Sequence, residues 1–453
     1  MHAALSVAAA GENPMGWSPH SLGVHKLLGP LRPLVTPVVD AASRRRLAKC
    51  VNVADLRLAA EKRMHRMCFG YLDSGADDEV TLRRSKDAFL ERELHYRVLA
   101  GTRPETLDVS AALMGSELAL PFFSCPCAGN RMFHTEGEVA AAAVARERGS
   151  LYCLSTLATS TPNQVAAGDV SGEKPARLFQ LYVWKDRALV RRMLDLAAAA
   201  EFDHLALTVD LTWFGNRERD KRQGFTIPPS YSARQILDGA LAPAWTWDLL
   251  SSDPYTYANI DGDVPAEALA AFVNAQLACD FDWDDAKWLV GEWKRLRPGG
   301  TIALKGVVRP DDAVRARDLG FDCVWVSNHG GRQLDTAPAP LDVLPAIREA
   351  VGCDFDLILD GGVQRGTDIA KALALGASAV GVGKPFLYGL GAGGKAGVDK
   401  CFDMLDAELR TCMGLLGVRT VAELREHGGD LVRRRHPSFR DAQGARYAPG
   451  GLC

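Results

Sequence analysis

The chain has 453 residues, with 53 lysines and arginines against 56 aspartates and glutamates, a net charge of −3. At 47% hydrophobic and 24% charged it has the composition of a folded globular protein, and its near-neutral balance gives no reason to expect nucleic acid as a partner. No apolar run approaches the roughly 20 residues of a membrane-spanning helix, which excludes an integral helical membrane protein but not one that touches a bilayer surface. The eleven cysteines, scattered from Cys50 to Cys453, include no pair with zinc-site spacing. Free buried thiols in a reducing compartment are the plain reading.

Residues 1–50 stand apart. They carry six lysines and arginines, ending in Arg44-Arg45-Arg46 and Lys49, against Glu12 and Asp40, together with five prolines. A basic, acid-poor N-terminus reads either as an organellar targeting segment or as an extension or flap on the folded body. A mitochondrial or a cytoplasmic location both remain open, as does a peripheral membrane one. Residues 52–100 read as helices.

From about residue 120 the chain alternates strand and helix eight times. Short apolar runs at 118–126, 150–155, 177–182, 204–210, 301–307, 322–327, 355–360 and 378–383 have the near-continuous hydrophobicity of parallel strands covered on both sides. Helical patterns lie between them, among them 136–149, 185–200 and 310–320, the last opened by Pro310. Eight such units point to an α/β fold, one closed (β/α)8 barrel of the TIM type, with two doubly wound domains as the competing arrangement. The rhythm breaks once, at Leu211–Gly300 after strand four. That insertion holds Trp213, Trp245, Trp247, Tyr255, Tyr257, Trp283, Trp288 and Trp293, and the basic stretch Arg217–Arg222. It reads as a membrane-interface element or as a soluble lid over the site. The expected organisation is an N-terminal extension (1–50), the barrel with its leading helices (51–423) and a polar C-terminal tail (424–453).

In a barrel, side chains at the C-terminal ends of the strands share one mouth. Those ends carry Tyr182, Asp210, Lys305, Asn328-His329-Gly330-Gly331-Arg332, Asp360-Gly361-Gly362 and Gly383-Lys384. Gly-Gly is common in turns, and a lone Asp at a strand end is often a helix cap. A lysine inside an apolar strand is harder to dismiss, because a buried ammonium needs an anion nearby. The conjunction suggests a phosphate-bearing cofactor beside a His/Asp acid–base pair.

The string SNHGGRQLD (327–335) resembles the signature of the FMN-dependent 2-hydroxy-acid oxidising enzymes. The resemblance extends over roughly residues 55–420, through YLDSGADDEVTL (71–82), FQLYVWKDR (179–187), LTVD (207–210), GNRERD (215–220), LKGV (304–307), DGGVQRGTDIAKALALGA (360–377) and GAGGKAGVDK (391–400). Residues 217–250 look most like the membrane-associated mandelate and lactate dehydrogenases. The resemblance implies FMN as cofactor and a small 2-hydroxy acid as substrate. It also implies a quinone, cytochrome or oxygen as electron acceptor and a homo-oligomer, a tetramer by family likeness. By the same resemblance His329 is the base, with Asp210 behind it. Arg332, Arg217 and Tyr71 hold the substrate carboxylate, and Tyr182 bonds the hydroxyl being oxidised. Lys305 sits at the flavin edge. Pro126, Cys127, Ala128, Ser155, Gln180, Thr208 and Ser327 surround the ring, while Asp360, Gly361, Gly362, Val363, Gln364, Gly383 and Lys384 line the phosphate site.

The chain departs from the family pattern in places. Cys127 stands where a threonine is usual, Gln364 and Lys384 replace arginines of the phosphate loops while Arg365 remains, and Leu157 replaces the tryptophan of glycolate oxidases, leaving room for lactate or larger acids. The expected reaction is oxidation of an L-2-hydroxy acid, L-lactate or else (S)-mandelate. A different FMN barrel enzyme, of the isopentenyl diphosphate isomerase type, and a non-catalytic flavin-binding paralogue are the rival readings.

Overall fold

The computed structural model describes residues 23–169, 175–225, 233–254, 256–260, 272 and 275–435. Eight parallel strands close into a barrel: β1 Phe122–Ser124, β2 Tyr152–Ser155, β3 Arg177–Tyr182, β4 His204–Thr208, β5 Thr301–Val307, β6 Cys323–Val326, β7 Asp356–Asp360 and β8 Ala379–Val382. Each strand pairs with its sequence neighbours, and β8 pairs with β1. The barrel expected from the eightfold alternation is therefore present, without a second sheet domain among the described residues.

Two layers of apolar side chains hold it. Inside the barrel Phe123, Cys153, Leu178, Ala206, Ala303, Trp325, Ile358 and Ala379 fill the lumen, with Phe123 and Trp325 meeting edge to face at 5.3 Å. Outside, helices cover the strands. Arg187–Ala199 starts where Asp186 accepts the amide N–H groups of Ala188 and Leu189. Pro310 opens Pro310–Asp318. A hairpin, Ala111–Leu113 with Ser116–Leu118, closes the N-terminal end of the barrel around a Met114-Gly115 turn with both φ angles positive.

Three sequence boundaries move. The run 118–126 is divided: Leu118 ends the closing hairpin and only Phe122–Ser124 enters the barrel, because Pro121 has no N–H to give a ladder. The insertion after β4 is shorter than Leu211–Gly300, because Trp283–Leu296 is the barrel's own crossover helix, capped by Asp282 and packed on Arg187–Ala199. The polar tail begins later than residue 424. Helix Val421–Glu426 buries Val421 and Leu424, Leu431 is also buried, and Val432–Arg434 pairs antiparallel with Arg92–Leu94. Residues from 436 onward lie outside the described residues.

The N-terminal extension is helical over Val24–Leu28, Arg32–Val39 and Ala41–Ala48. The helices Val53–Arg63, Arg66–Asp73 and Val80–Leu90 follow and lean against the barrel mouth. Among the described residues no helix is long and apolar enough to cross a membrane. The described cysteines are free thiols.

The helix after β8 fixes the mouth. It runs Lys384–Leu416 but breaks at Gly393-Gly394, where both residues leave helical geometry. The break folds its first turns back on the rest, so closely that a Cβ on Gly389 would lie 2.3 Å from the Gly397 carbonyl oxygen. Gly389→Val should therefore destabilise the protein by about 1–3 kcal/mol or more through overpacking. In Trp283–Leu296, a Cβ on Gly291 meets nothing within 4 Å, and Gly291→Ala should stabilise by roughly 0.5–1 kcal/mol. Thermal unfolding of the two variants checks the contrast.

Candidate active site

The strand ends open into one cleft whose empty volume, including the part open to solvent, is about 1270 Å³. Tyr71, Pro126, Cys127, Ala128, Gln180, Tyr182, Thr208, Arg217, Lys305, His329, Arg332, Asp360, Gly361, Gly362, Val363, Gln364, Gly383 and Lys384 all line it. Asp210, Ser155 and Ser327 stand one layer behind. Asp210 holds His329, Ser155 donates its hydroxyl to Gln180 at 3.1 Å, and Ser327 accepts from Lys305 and from the His329 amide.

His329 sits at φ +57°, followed by Gly330 and Gly331 at +64° and +72°. A left-handed conformation is uncommon outside glycine and here is imposed by the surroundings. Gly331 leaves no room for a side chain, since a Cβ would lie 2.6 Å from the Leu82 amide nitrogen. Asn328 donates to Ser85 at 2.9 Å, and Asp335 accepts the Val80 and Thr81 amides at 3.1 and 2.7 Å. The loop is thus stapled to helix Val80–Leu90. Its imidazole Nδ1 lies 2.8 Å from Asp210 Oδ1. A carboxylate there accepts the Nδ1 hydrogen and leaves Nε2 as the nitrogen available to the cleft. Burial alone would raise the Asp210 carboxyl, but the facing His329 holds it below the usual carboxylate range. Asp210 approaches so closely because β5 bulges at Gly306, where a Cβ would overlap Asp210. The Tyr182 ring lies beside His329 at 6.4 Å, its phenol pushed up by burial and then by Asp210.

Two arginines converge opposite. Arg332 lies over the Tyr71 ring at 4.8 Å and donates to the carbonyls of Tyr71 and Ser74 at 2.7 and 3.0 Å. Arg217 donates to the Arg332 carbonyl and to Gln333 Oε1, both at 3.3 Å. Neither makes an ion pair among the described residues. Burial, and then the neighbouring Arg332 charge, push the Arg217 guanidinium down from its ordinary value. Lys384 is in the same condition: among the described residues it donates to the Asp73 and Ser74 carbonyls at 3.0 Å, and burial followed by Arg332 lowers its ammonium well below the ordinary range. Lys305 differs. It donates to Asp360 Oδ2 and Ser327 Oγ at 2.8 Å, and these neighbours outweigh burial and hold it charged.

The cleft fits FMN. Cationic groups without counter-ions need an anion. Gly361 and Gly362 have φ of +91° and +85°, and a Cβ on Gly362 would lie 2.0 Å from the Ser85 carbonyl oxygen. Gly383 caps the helix that starts at Lys384, so free amide N–H groups and the positive end of a helix dipole face the same corner. Asp360 Oδ1 is a buried acceptor without a donor among the described residues.

Some sequence readings need correction. Arg365 does not reach this corner; it pairs with Glu408 at 2.6 Å on the outside. The insertion's rings are mostly packed. Trp245 and Trp293 are buried and bonded to carbonyl oxygens at 2.8 and 2.9 Å, Trp283 and Trp288 lie against Arg315 and Arg187, and Trp247 donates to Thr36. Tyr257 is buried, Trp213 is exposed, and Tyr255 lies outside the described residues. The basic stretch 217–222 is likewise engaged. Arg219 pairs with Asp73 and Glu79, Lys221 with Asn216, and Arg222 with Glu218.

The sequence reading also passed over Lys86, Phe133, Leu211 and Phe214, which line the cleft, and Gln333, which ties Arg217 to the Asp210 and Trp213 carbonyls. Gln333 lay inside the SNHGGRQLD string and could have been singled out there. Lys86 comes from a helix outside the barrel and gave no signal.

Residues 60–430 match the family described as FMN-dependent dehydrogenase. The chain is 37% identical over 417 residues to a protein of Mycobacterium tuberculosis named putative L-lactate dehydrogenase, covering 90% of this chain and 96% of that one. It is 37% identical over 377 residues to a Nostoc protein named L-lactate oxidase, covering 83% and 96%. Among solved structures it resembles the monotopic membrane protein (S)-mandelate dehydrogenase, with a TM-score of 0.79, 32% identity and coverage of 85% and 100%. The matching strand-end chemistry and these likenesses lead to one conclusion: the chain belongs to the FMN-dependent dehydrogenase family.

Proposed function

We propose that the protein oxidises an L-2-hydroxy acid, L-lactate foremost, to the 2-oxo acid. The observation that carries this reading is the placement of His329 Nε2 in a cleft shared with two arginines that make no ion pair among the described residues. Bound FMN supplies the two-electron chemistry. Arg332 and Arg217, with Tyr71, grip the substrate carboxylate; a planar guanidinium can meet both its oxygens at once. That grip leaves C2 and its hydroxyl toward Tyr182 and His329. His329 takes the proton at Nε2, and Asp210 stabilises the imidazolium through Nδ1. Lys305, held charged beside Asp360, would place a cation against the flavin ring, which Pro126, Cys127, Ala128, Gln180 and Thr208 would line. Gly361, Gly362, Gly383 and Lys384 would hold the phosphate. Electrons leave to a quinone or cytochrome-type acceptor.

Mandelate or another larger acid is the second reading. Phe133, Leu157, Leu211 and Phe214 give the cleft an apolar wall, and the structural likeness to (S)-mandelate dehydrogenase agrees with it.

His329→Gln should keep substrate binding while slowing anaerobic flavin reduction by about 10²–10⁴-fold. A rate within tenfold of wild type removes His329 as the base. Arg332→Lys keeps the charge but not the fork, and should raise KM for lactate and lower kcat/KM by about tenfold or more; an unchanged kcat/KM contradicts two-point carboxylate binding.

Lys384 gives a pH prediction. Its ammonium is depressed by burial in the free protein, and a bound phosphate restores the charged form. Binding therefore takes up a proton at pH values between the depressed value and the ordinary 10.5, and FMN affinity falls as pH rises through that window. Titration calorimetry in two buffers of different ionisation enthalpy measures the uptake. It should vanish in Lys384→Met.

A further inference from the structure

The helices Val24–Leu28 and Arg32–Val39, joined by the turn Gly29–Leu31, lie along the insertion helix Pro243–Ser251. Their inner side is bonded to the body. Arg32 donates to Ser251 Oγ at 2.8 Å and Thr135 Oγ1 at 3.1 Å, and the Trp247 indole donates to Thr36 at 2.9 Å. Their outer side is apolar. Leu27, Leu31, Leu34 and Val38, spaced by four, three and four residues, fall on one helical face and are 77%, 44%, 73% and 74% exposed. Pro30, Pro33 and Pro37 are exposed among them, and Lys26 is the single charged residue of that outward row. A solvent-facing helix normally carries charge on its outer face.

The next turns supply cations. Arg44, Arg45 and Lys49 are exposed. Between residues 23 and 50 the one acidic residue is Asp40, and it is paired with Arg63 at 3.0 Å. Helix Ala233–Ala240, which also packs on Pro243–Ser251, and the residue after it expose Ile236, Leu237 and Leu241.

We propose that the outward face of residues 24–39, together with Arg44, Arg45 and Lys49, docks the protein flat on an anionic lipid surface. Exposed leucines beside a basic cluster are the composition of an in-plane membrane helix: apolar side chains enter the headgroup boundary and cations meet lipid phosphates. Of the insertion's tryptophans, Trp245 and Trp247 turn inward, donating to the Met132 carbonyl and to Thr36. A second copy of the chain is the poorer occupant, because a two-fold contact on this face would bring two sets of the same cations together. Arg32, on the inner side of the same helix, donates to Thr135, two residues beyond the cleft-lining Phe133.

The test is co-sedimentation of full-length holoenzyme with phosphatidylcholine vesicles, with and without phosphatidylglycerol. Wild type should pellet with the anionic vesicles and release as salt rises. Each cation near such a surface is worth about fivefold in partition, so R44E/R45E should bind at least tenfold more weakly. The triple variant L27N/L34N/V38N should lose binding to a similar extent. Both should keep wild-type lactate oxidation with a soluble dye as acceptor, because none of these side chains lines the cleft. Failure of wild type to bind anionic vesicles, or binding by both variants as tight as wild type, overturns the proposal. So does loss of binding only in L237N/L241N, or a smaller oligomer in L27N/L34N/V38N with vesicle binding intact.

Discussion

Three cations without an ion-pair partner among the described residues organise the mouth of the barrel. Arg217, Arg332 and Lys384 point into one cleft and bond to carbonyl or amide oxygens of the protein. Asp220 acts on the two arginines and Asp73 on Lys384 without pairing with them, and an anion in the cleft would complete the arrangement. The fold supports them from outside the cleft. Asp73 accepts two bonds from Arg57, one from Arg219 and one from the Tyr388 hydroxyl. One buried carboxylate thereby ties together the helix carrying Tyr71, the loop carrying Arg217 and the helix that starts at Lys384. Gln333 does the same for Arg217 and the loop after β4.

Beside those cations the His329–Asp210 pair is placed by backbone. His329 is held left-handed between Ser327 and two glycines, and Asp210 reaches it across the bulge at Gly306. Lys305 makes the contrast plain. Its partner Asp360 is present in the protein, whereas Arg217 and Arg332 make no ion pair among the described residues and, in the proposed mechanism, meet theirs in the substrate carboxylate.

The fold was legible because parallel strands covered on both sides leave long apolar runs, and because a barrel gathers its chemistry at the C-terminal strand ends. His329, Arg332, Asp360 and Lys384 could be placed in one mouth on that rule alone. The glycine-rich loops were equally legible, since a Cβ at Gly331 or Gly362 meets backbone. What escaped lay outside the strand-end rule. Lys86 reaches the cleft from a leading helix, Phe133 from the loop after β1 and Phe214 from the insertion. Arg365 matched a motif by position yet turns to Glu408. The insertion's tryptophans misled for a related reason: composition cannot tell a ring aimed at lipid from one packed on an arginine of the next helix, as Trp288 is on Arg187.

The central claim is that this cleft takes the carboxylate of an L-2-hydroxy acid on its arginines and presents the C2 hydroxyl to His329. Anaerobic mixing of the FMN-loaded enzyme with L-lactate, D-lactate and the two mandelate enantiomers, followed by flavin absorbance, tests it most directly. L-Lactate or (S)-mandelate should bleach the flavin rapidly and their mirror images should not, since the same grip would turn them away from His329. Equal bleaching by both enantiomers, or no bleaching by any of the four, would contradict it.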